Sequence, residues 1–328
     1  MILVTGGAGY IGSHTVLMLQ QRGHRVVVLD DLSEGHREAL FDVEMIEGST
    51  LDAACLARVF EQYPIRAVCH FAARCYVGES VEDPGLYYHN NVVGTLNLLR
   101  AMVAAEVRNV VFSSTCATFG VPDQMPIVED MPQVPINPYG ETKLVCERML
   151  RDFAVGYGLS SVALRYFNAA GADPEGRIGE DHDPETHLIP LVLEVAAGKR
   201  DKLTVFGGDY ETIDGTCVRD YVHVTDLAEA HLLALAALDG GMQGATSFNL
   251  GNERGTSVLE VIESVRSVTG KDVPYEIGAR RPGDPPVLVG SLQRIQTELG
   301  WEPALGDINS IVETAWNWHR LHPGGYSS

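Results

Sequence analysis

The stretch that decides the fold is residues 1–12, Met-Ile-Leu-Val-Thr-Gly-Gly-Ala-Gly-Tyr-Ile-Gly. Its apolar run Ile2–Val4 is typical of a strand that is buried on both faces of a sheet. Residues 7–12 then fit the pattern G-x-G-x-x-G, and a helical pattern over Ser13–Gln21 follows without a gap. Glycine permits the sharp turn, the close approach of a pyrophosphate to the backbone and the tight packing of the helix. The helix then points its free N–H groups and its positive dipole end at the phosphates.

A glycine motif by itself is a weak signal, because glycine-rich turns are common. Here Gly23 gives the helix a stop, and a second strand over Val26–Leu29 leads into Asp30. An acid about 20 residues after the glycines accepts hydrogen bonds from the ribose hydroxyls of a dinucleotide. Its charge repels a 2′-phosphate, and Asp31 adds to that repulsion. The sequence therefore predicts a site for NAD rather than NADP.

Composition and charge exclude several classes of function. The 328 residues are 45% hydrophobic and carry a formal net charge of −20, which argues against nucleic acid or an anionic membrane as the main partner. The first apolar run is too short for a signal peptide, and no stretch is long enough to span a bilayer. The six cysteines match neither a zinc pattern nor a disulfide framework. We expect a cytoplasmic protein with reduced thiols and no metal ion.

Strand-like and helix-like stretches alternate through the first half of the chain. This alternation predicts an α/β fold with a Rossmann-type, doubly wound parallel sheet. Residues 1–170 are expected to form the NAD-binding domain and residues 171–328 mainly a smaller mixed α/β substrate lobe, with the chain free to cross back. Further strands are expected at Glu44–Ile46, Ala67–Phe71, Val110–Phe112 and Val162–Leu164, and helices at Asp52–Tyr63, Val92–Ala105, Tyr139–Tyr157, His187–Ala197 and Thr225–Leu238.

Two residues at the start of a long helix carry the candidate chemistry. Tyr139 and Lys143 are spaced i, i+4 and therefore share one helical face. An ammonium near a phenol lowers the pKa of the phenol, and an oxidised nicotinamide nearby lowers it further. The result is a general base that can take a proton from a sugar hydroxyl. Thr115, at the end of the fifth strand, can hydrogen-bond the same oxygen.

These motifs resemble the extended short-chain dehydrogenase/reductase superfamily and, within it, the UDP-glucose 4-epimerase (UDP-galactose 4-epimerase) family. The resemblance covers almost the whole chain. It implies an isomerase with tightly held NAD, which oxidises a UDP-hexose at C4, lets the 4-keto sugar turn over and returns the hydride. It also implies a homodimer built on the two long helices. The stretches that carry the resemblance are residues 5–12, 77–81, 87–92, 165–168, 179–181, 218–224 and 281–284, together with Tyr139 and Lys143.

The resemblance also assigns site residues. Tyr139, Lys143 and Thr115 are the expected catalytic residues. The expected NAD-binding residues are Gly6, Gly9, Tyr10, Ile11, Gly12, Asp30, Asp31, Leu32, Ser33, Ser49, Thr50, Phe71, Ala72, Ala73, Asn90, Tyr139, Lys143 and Phe167. The expected UDP-sugar-binding residues are Thr115, Asn168, His187, Leu188, Phe206, Arg219, Arg281 and Asp284.

Four positions depart from the pattern of many relatives. Ser49 stands where an acid often holds the adenine, and Cys75 stands where a lysine is common. Tyr76 occupies an often small position near the sugar and would narrow the pocket. Leu288 replaces a tyrosine and would widen it enough for an N-acetyl group. Which UDP-sugar is preferred is therefore left open.

Three other functions compete with the UDP-hexose 4-epimerase. The first is an epimerase of a UDP-N-acetylhexosamine or another modified sugar. The second is a nucleotide-sugar 4,6-dehydratase, which is disfavoured because Cys116 and Ala117 stand where such enzymes carry an Asp-Glu pair. The third is a non-catalytic NAD-binding regulator, which would have no need of Tyr139 and Lys143.

Overall fold

The computed structural model describes residues 1–281 and 284–327. Its first strand, β1 (Ile2–Thr5), buries all its residues, and successive side chains enter opposite cores. Ile2 and Val4 pack in the core on one face of the sheet, whereas Leu3 packs in the core on the other face. The apolar run thus gives the two-sided burial that the sequence predicts.

The other elements continue the alternation of strands and helices. The strands after β1 are β2 (Val26–Asp30), β3 (Glu44–Glu47), β4 (Ala67–His70), β5 (Asn109–Thr115), β6 (Ser160–Tyr166), β7 (Asn168–Ala170), β8 (Leu203–Phe206), β9 (Val218–Arg219), β10 (Tyr221–His223), β11 (Ala245–Leu250), β12 (Thr256–Ser257), β13 (Tyr275–Gly278) and β14 (Val287–Leu288). The helices are α1 (Tyr10–Gln21), α2 (Ala53–Gln62), α3 (Val77–Glu82), α4 (Pro84–Tyr87), α5 (Gly94–Ala104), α6 (Pro138–Tyr157), α7 (Leu188–Ala196), α8 (Val224–Asp239), α9 (Val258–Thr269), α10 (Gln293–Leu299) and α11 (Ile308–Leu321).

The main sheet has the predicted doubly wound topology. Within the described residues it contains seven parallel strands in the order β11-β6-β5-β4-β1-β2-β3. Helices α1 and α8 pack together against one face, and α2, α5 and α6 cover the other. Because β11 and α8 come from beyond residue 170, the second half of the chain contributes to this sheet. The division at residue 170 stays a prediction.

A smaller mixed lobe follows from residues outside that sheet. Its short strands pair as β10-β7, β12-β9-β14 and β13-β8. Helices α7, α9 and α11 bury one apolar side each in a third core, through Val192, Val261 and Ile311 among others. A capping box starts α9, because Ser257 and Glu260 exchange hydrogen bonds there. Among the residues described, no helix combines the length and the apolar character needed to cross a membrane.

Several boundaries differ from those expected, and three of them lie near the site. Strand β5 extends to Thr115, because Ser113–Thr115 pair in register with β6 instead of forming a turn. Helix α1 begins at Tyr10 instead of Ser13. The helix expected from Val92 is preceded by a π-helical segment, Tyr88–Val93, before α5 begins at Gly94. Such wide turns occur frequently at functional sites.

Candidate active site

The glycine turn between β1 and α1 leaves almost no room for side chains. Gly6 has a positive φ of 71°, and a Cβ there would lie 2.4 Å from the backbone nitrogen of Ala72. A Cβ on Gly12 would lie 2.1 Å from the carbonyl oxygen of Gly6. The N-cap of α1 is Gly9, so no side chain caps the first turn of that helix. A bare helix N-terminus beside a turn that excludes side chains fits the pyrophosphate of a dinucleotide.

Asp30 lies at the carboxyl end of β2, beside this turn. Its two carboxylate oxygens accept hydrogen bonds from the backbone N–H groups of Ala8 and Leu32, each at 2.9 Å. Burial raises the pKa of Asp30, although these hydrogen bonds oppose the shift. Asp31 in turn accepts a hydrogen bond from the N–H of Ser33 at 3.1 Å. The carboxylate is therefore held in place and keeps lone pairs for ribose hydroxyls.

The other residues expected to bind NAD lie around the same edge of the sheet. After β4, the N–H groups of Phe71 and Ala72 both donate to the Thr5 carbonyl, at 2.8 and 3.0 Å, so this segment follows the glycine turn closely. Ala73 continues that segment, and Asn90 lies in the π-helical segment.

Some of these side chains have other partners in the structure. The Tyr10 hydroxyl donates to the Gly171 carbonyl at 2.6 Å, and Ile11 packs against the core. Thr50 is buried against Gly94, where a Cβ would lie 2.5 Å from its Oγ1. Ser49 Oγ accepts only a long bond, 3.4 Å, from the N–H of Leu51. The roles of these residues toward NAD stay predictions.

The three expected catalytic residues meet at the carboxyl ends of β5 and β6. Helix α6 begins at Pro138 because Asn137 caps it, accepting a hydrogen bond from the N–H of Gly140 at 2.8 Å. One turn into the helix, the Lys143 ammonium donates to the Ser113 carbonyl at 2.8 Å and lies 6.0 Å from the centre of the Tyr139 ring. A side-chain hydrogen bond also links Tyr139 to Thr115.

The pKa of the phenol shifts in the direction opposite to the one expected. Burial raises the pKa of Tyr139 above its usual range, whereas the hydrogen bond with Thr115 lowers it. Lys143, without a nicotinamide beside it, therefore does not lower the pKa of Tyr139 below its usual value, and that expectation is wrong. Burial also lowers the pKa of Lys143, to about 8. Since the ammonium is 6.0 Å from the ring centre and both groups are desolvated, the cost of charging the phenol is the larger effect.

A buried ion pair that the sequence reasoning missed holds α6 on the sheet. Arg165 on β6 donates from Nε and Nη2 to the two carboxylate oxygens of Glu147, at 2.9 and 2.7 Å. Ser114 on β5 donates to the same carboxylate at 2.6 Å. Glu147 is one turn beyond Lys143 on the catalytic face of α6. That i, i+4 spacing was the sequence signal that could have identified Glu147 as a site residue. The pair fixes the position of the helix that carries Tyr139.

The residues expected to bind UDP form two contacts in the smaller lobe. Arg219 on β9 forms an ion pair with Asp284, and its side chain is largely buried. The Arg281 guanidinium lies 4.3 Å from the centre of the exposed Phe206 ring. Asn168 begins β7, where its N–H donates to the Asp220 carbonyl at 3.0 Å. Pro282 and Gly283 of the motif at 281–284 lie outside the described residues.

His187 and Leu188 are at the start of α7, apart from those two contacts. The Nδ1 atom of His187 lies 3.0 Å from an oxygen of Glu180 and 2.9 Å from an oxygen of Glu185. His182 joins the same group of side chains, with Nδ1 at 3.3 Å from Glu180. Glu180, His182 and Glu185 were not expected as site residues.

The comparisons with known proteins agree with this geometry. Residues 2–251 match the NAD dependent epimerase/dehydratase family. The chain belongs to this family. A curated UDP-glucose 4-epimerase from Halalkalibacterium halodurans is 56% identical over 327 residues, which are 100% of this chain and 98% of that protein.

Solved structures of family members superpose closely. The UDP-glucose 4-epimerase from Brucella ovis, solved in complex with NAD, has a TM-score of 0.94 at 52% identity and covers 97% of this chain and 98% of its own. The enzyme from Bifidobacterium longum, in complex with NAD⁺ and UDP, has a TM-score of 0.94 at 38% identity and covers 99% of each chain. The predicted fold, the predicted resemblance to UDP-glucose 4-epimerases and the predicted dependence on NAD are confirmed.

The departures from the epimerase pattern have distinct surroundings. Tyr76 donates a hydrogen bond from its hydroxyl to Glu34 at 3.2 Å, and its ring lies 6.4 Å from that of His187. Arg74, which precedes Cys75, is paired with the same Glu34. Leu288 pairs with Arg219 in the register of β14 and β9. Tyr76 therefore borders the His187 side of the site, whereas Leu288 borders the Arg219 side.

Proposed function

We propose that this protein is a UDP-hexose 4-epimerase that interconverts UDP-glucose and UDP-galactose with bound NAD. The observation that carries the proposal is the meeting of Tyr139, Lys143 and Thr115 at the sheet edge that also holds the glycine turn. Relatives at 48–56% identity over nearly the whole chain are UDP-glucose 4-epimerases. Bound NAD supplies a reversible acceptor for the hydride of the sugar C4.

In this proposal Tyr139 takes the proton of the 4-hydroxyl and later returns it. Burial alone keeps the phenol protonated, so it needs a positive charge close by to act as a base near neutral pH. Lys143 and the oxidised nicotinamide together supply that charge. Thr115 shares the same sugar oxygen, and its bond to the phenol already favours the ionised form. A base that is ionised mainly when oxidised NAD is bound couples proton removal to hydride removal.

The two contacts in the smaller lobe are proposed to hold UDP. Arg219 is a forked donor that suits a diphosphate, and Asp284 orients it. Phe206 offers an exposed aromatic face, with Arg281 beside it, on which a uracil ring can stack. Asn168 lies between this lobe and the catalytic residues. A firm grip on UDP leaves the hexose free to turn over between the two hydride transfers.

The nearest rival reaction needs an acid directly after Thr115, where this chain has Cys116 and Ala117. A 4,6-dehydratase must protonate a leaving hydroxyl, and Cys116 stands beside Thr115 where its acid would be. Burial raises the pKa of the Cys116 thiol to about 12, which makes it a poor acid. This observation favours epimerisation over dehydration.

A homodimer and a cytoplasmic location complete the proposal. The family resemblance supports a dimer through α5 and α6, and two apolar residues are exposed there, Val93 directly before α5 and Val155 within α6. The cysteines are free, which is typical of a reducing compartment. Light scattering after gel filtration should give twice the chain mass; a monomer mass would contradict the dimer. Cell fractionation should recover the protein with the cytosol.

The test of the reaction uses two substrates in parallel. The NAD-loaded protein is incubated with UDP-glucose and, separately, with UDP-N-acetylglucosamine, and each 4-epimer is followed by chromatography. We expect UDP-galactose to form from UDP-glucose. If the N-acetylated 4-epimer forms as well, the space gained at Leu288 is a larger effect on the sugar pocket than the narrowing by Tyr76. Turnover of neither sugar would contradict the proposed function.

A further inference from the structure

Four side chains outside the catalytic group form a compact polar cluster. Glu180, His182, Glu185 and His187 come from the segment that leads into α7, with His187 as the N-cap residue. One ligand atom from each residue can be chosen so that all four atoms lie within 4.8 Å of one another. Both imidazoles point Nδ1 at carboxylate oxygens. Imidazole and carboxylate are both ligands of zinc.

The nitrogen–oxygen distances in the cluster are close to those between neighbouring ligands of one metal ion. His182 Nδ1 lies 3.3 Å from Glu180 and 3.5 Å from Glu185. His187 Nδ1 lies 3.0 Å from Glu180 and 2.9 Å from Glu185. Zinc bonds of about 2.0–2.1 Å place neighbouring ligands of a tetrahedron about 3.3 Å apart. The four ligand atoms, which lie within 4.8 Å of one another, would have to move to that separation when the ion binds.

Three of the four side chains in the cluster are largely buried. The side chains of Glu180, Glu185 and His182 are only 6%, 10% and 11% exposed. In addition, Nδ1 of His182 is buried without a well-formed hydrogen bond in the described structure, although it is directed at the two carboxylates. A buried imidazole nitrogen that is directed at two buried carboxylates without a well-formed hydrogen bond is a candidate metal ligand.

We propose that Glu180, His182, Glu185 and His187 bind one Zn²⁺ ion through a carboxylate oxygen of each glutamate and Nδ1 of each histidine. The two carboxylates balance the charge of the ion. Four protein ligands fill a tetrahedral site, so the ion is structural, and Nδ1 of His187 would bind zinc instead of the UDP-sugar contact that the resemblance assigns to this residue. Sequence reasoning missed it because the spacing, E-x-H-x₂-E-x-H, contains no cysteine.

Protons compete with the metal for this site. Burial by itself lowers the pKa of both histidines, but the neighbouring carboxylates of Glu180 and Glu185 raise the pKa of His182 to about 9 and that of His187 to about 11. A metal ion at this site would have to displace any proton on the two Nδ1 atoms.

The position of the cluster indicates what the ion would stabilise. The His182 ring lies 6.2 Å from that of Tyr10 in the first turn of α1 and 6.0 Å from that of Tyr76. The ion would thus fix the segment before α7 against the glycine turn and hold the ring of His187. The test of this proposal measures metal content and does not depend on turnover. A negative result would therefore leave the proposed epimerase reaction unaffected.

The experiment measures metal on the full-length protein. The protein is stripped with a chelator, desalted, mixed with equimolar ZnCl₂, desalted again and analysed by inductively coupled plasma mass spectrometry. CoCl₂ replaces ZnCl₂ in a parallel sample, because tetrahedral Co²⁺ has intense visible absorption. The variants are His182→Ala and Glu185→Gln, and the matched control is His24→Ala, which lies beyond the other end of α1.

We expect about one zinc per chain in the parent and in His24→Ala, tetrahedral Co²⁺ absorption in both, and a higher thermal midpoint with zinc. His182→Ala and Glu185→Gln should retain at least about tenfold less metal, since even indirect partners of zinc ligands contribute that much. A parent that retains no zinc and shows no tetrahedral Co²⁺ spectrum would overturn the proposal. Equal zinc retention by the parent and both ligand variants would overturn it too. The cobalt spectrum of the parent decides the matter if a variant fails to fold.

Discussion

Replacement of Arg165 by methionine should destabilise the protein by about 3–5 kcal/mol, because it leaves the Glu147 carboxylate buried without its partner. The side chains of Arg165 and Glu147 are only 5% and 3% exposed, so water cannot take the place of the guanidinium. Two charge-assisted hydrogen bonds are lost, at 2.9 and 2.7 Å, and each contributes about 1.5–3 kcal/mol. The hydrogen bond from Arg165 to the Glu129 carbonyl, 3.1 Å, is lost as well.

The pH dependence of this loss has a definite sign. Burial alone raises the pKa of Glu147, but Arg165 and Ser114 hold it below its usual range. A carboxylate with a lowered pKa stabilises the folded state above its unfolded pKa, and that contribution is lost as the pH falls through the folded pKa. In Arg165→Met the carboxylate has no such partner and takes up a proton in acid. The deficit should therefore be full near neutral pH and should shrink as the pH falls.

Urea denaturation of the parent and the variant measures this free energy. Arg148→Met is the matched control, because Arg148 lies on the exposed face of α6, 55% exposed, and pairs with Glu141 at 3.5 Å. Such a surface pair contributes at most about 1 kcal/mol. A loss below about 1 kcal/mol in Arg165→Met near neutral pH, or a loss equal to that of the control, would refute the reasoning.

Three further predictions concern the cofactor and the base. Burial lowers the pKa of Lys143 to about 8, so the ammonium loses its proton as the pH rises through that value; kcat should fall on the alkaline side, and a flat profile there would contradict its role. Gly12→Ala should lose bound NAD on purification, because its Cβ would lie 2.1 Å from the Gly6 carbonyl, while the control Gly156→Ala, with open space around it, should keep the cofactor. Asp30→Ala should weaken NAD binding and reduce the preference for NAD over NADP in calorimetry; an unchanged ratio of affinities would count against the ribose contact.

Most of the main sheet was predictable because its signals are local. The glycine turn, the apolar strands and the stop of α1 at Gly23 depend on residues close together in the chain. The end of β5 was not predictable in the same way. The hydroxyls of Ser113 and Thr115 can bond the local backbone in a turn, yet these residues extend the strand because β6 offers them hydrogen-bonding partners far along the chain.

The last strand of the sheet shows the same limit more strongly. β11 pairs with β6 from Ala245↔Ser161 to Leu250↔Tyr166, and no strand was predicted there. Its sequence mixes Thr and Ser with apolar residues and has no long apolar run. Its place in the sheet depends on the packing of α8 beside α1. That contact joins residues far apart in the chain, so no local sequence pattern predicts it.

At the candidate site, the spacing of residues along the sequence predicted which side chains lie together, but it did not predict their pKa values. The i, i+4 spacing brought Tyr139 and Lys143 to one face at the expected edge, next to Thr115. It could not report burial, which reverses the expected shift in the pKa of the phenol. Glu147 escaped notice because its function depends on Arg165, which is on a different strand.

The central claim is that the site removes a hydride from C4 of the sugar and returns it to the same carbon with Tyr139 as the base. The most direct measurement follows UDP-galactose deuterated at C4 through the NAD-loaded protein, with mass spectrometry of the UDP-glucose formed. We predict that the product keeps the deuterium at C4 and that Tyr139→Phe forms it about 10²–10⁴-fold more slowly. Loss of the label to water, or a variant as fast as the parent, would contradict the account.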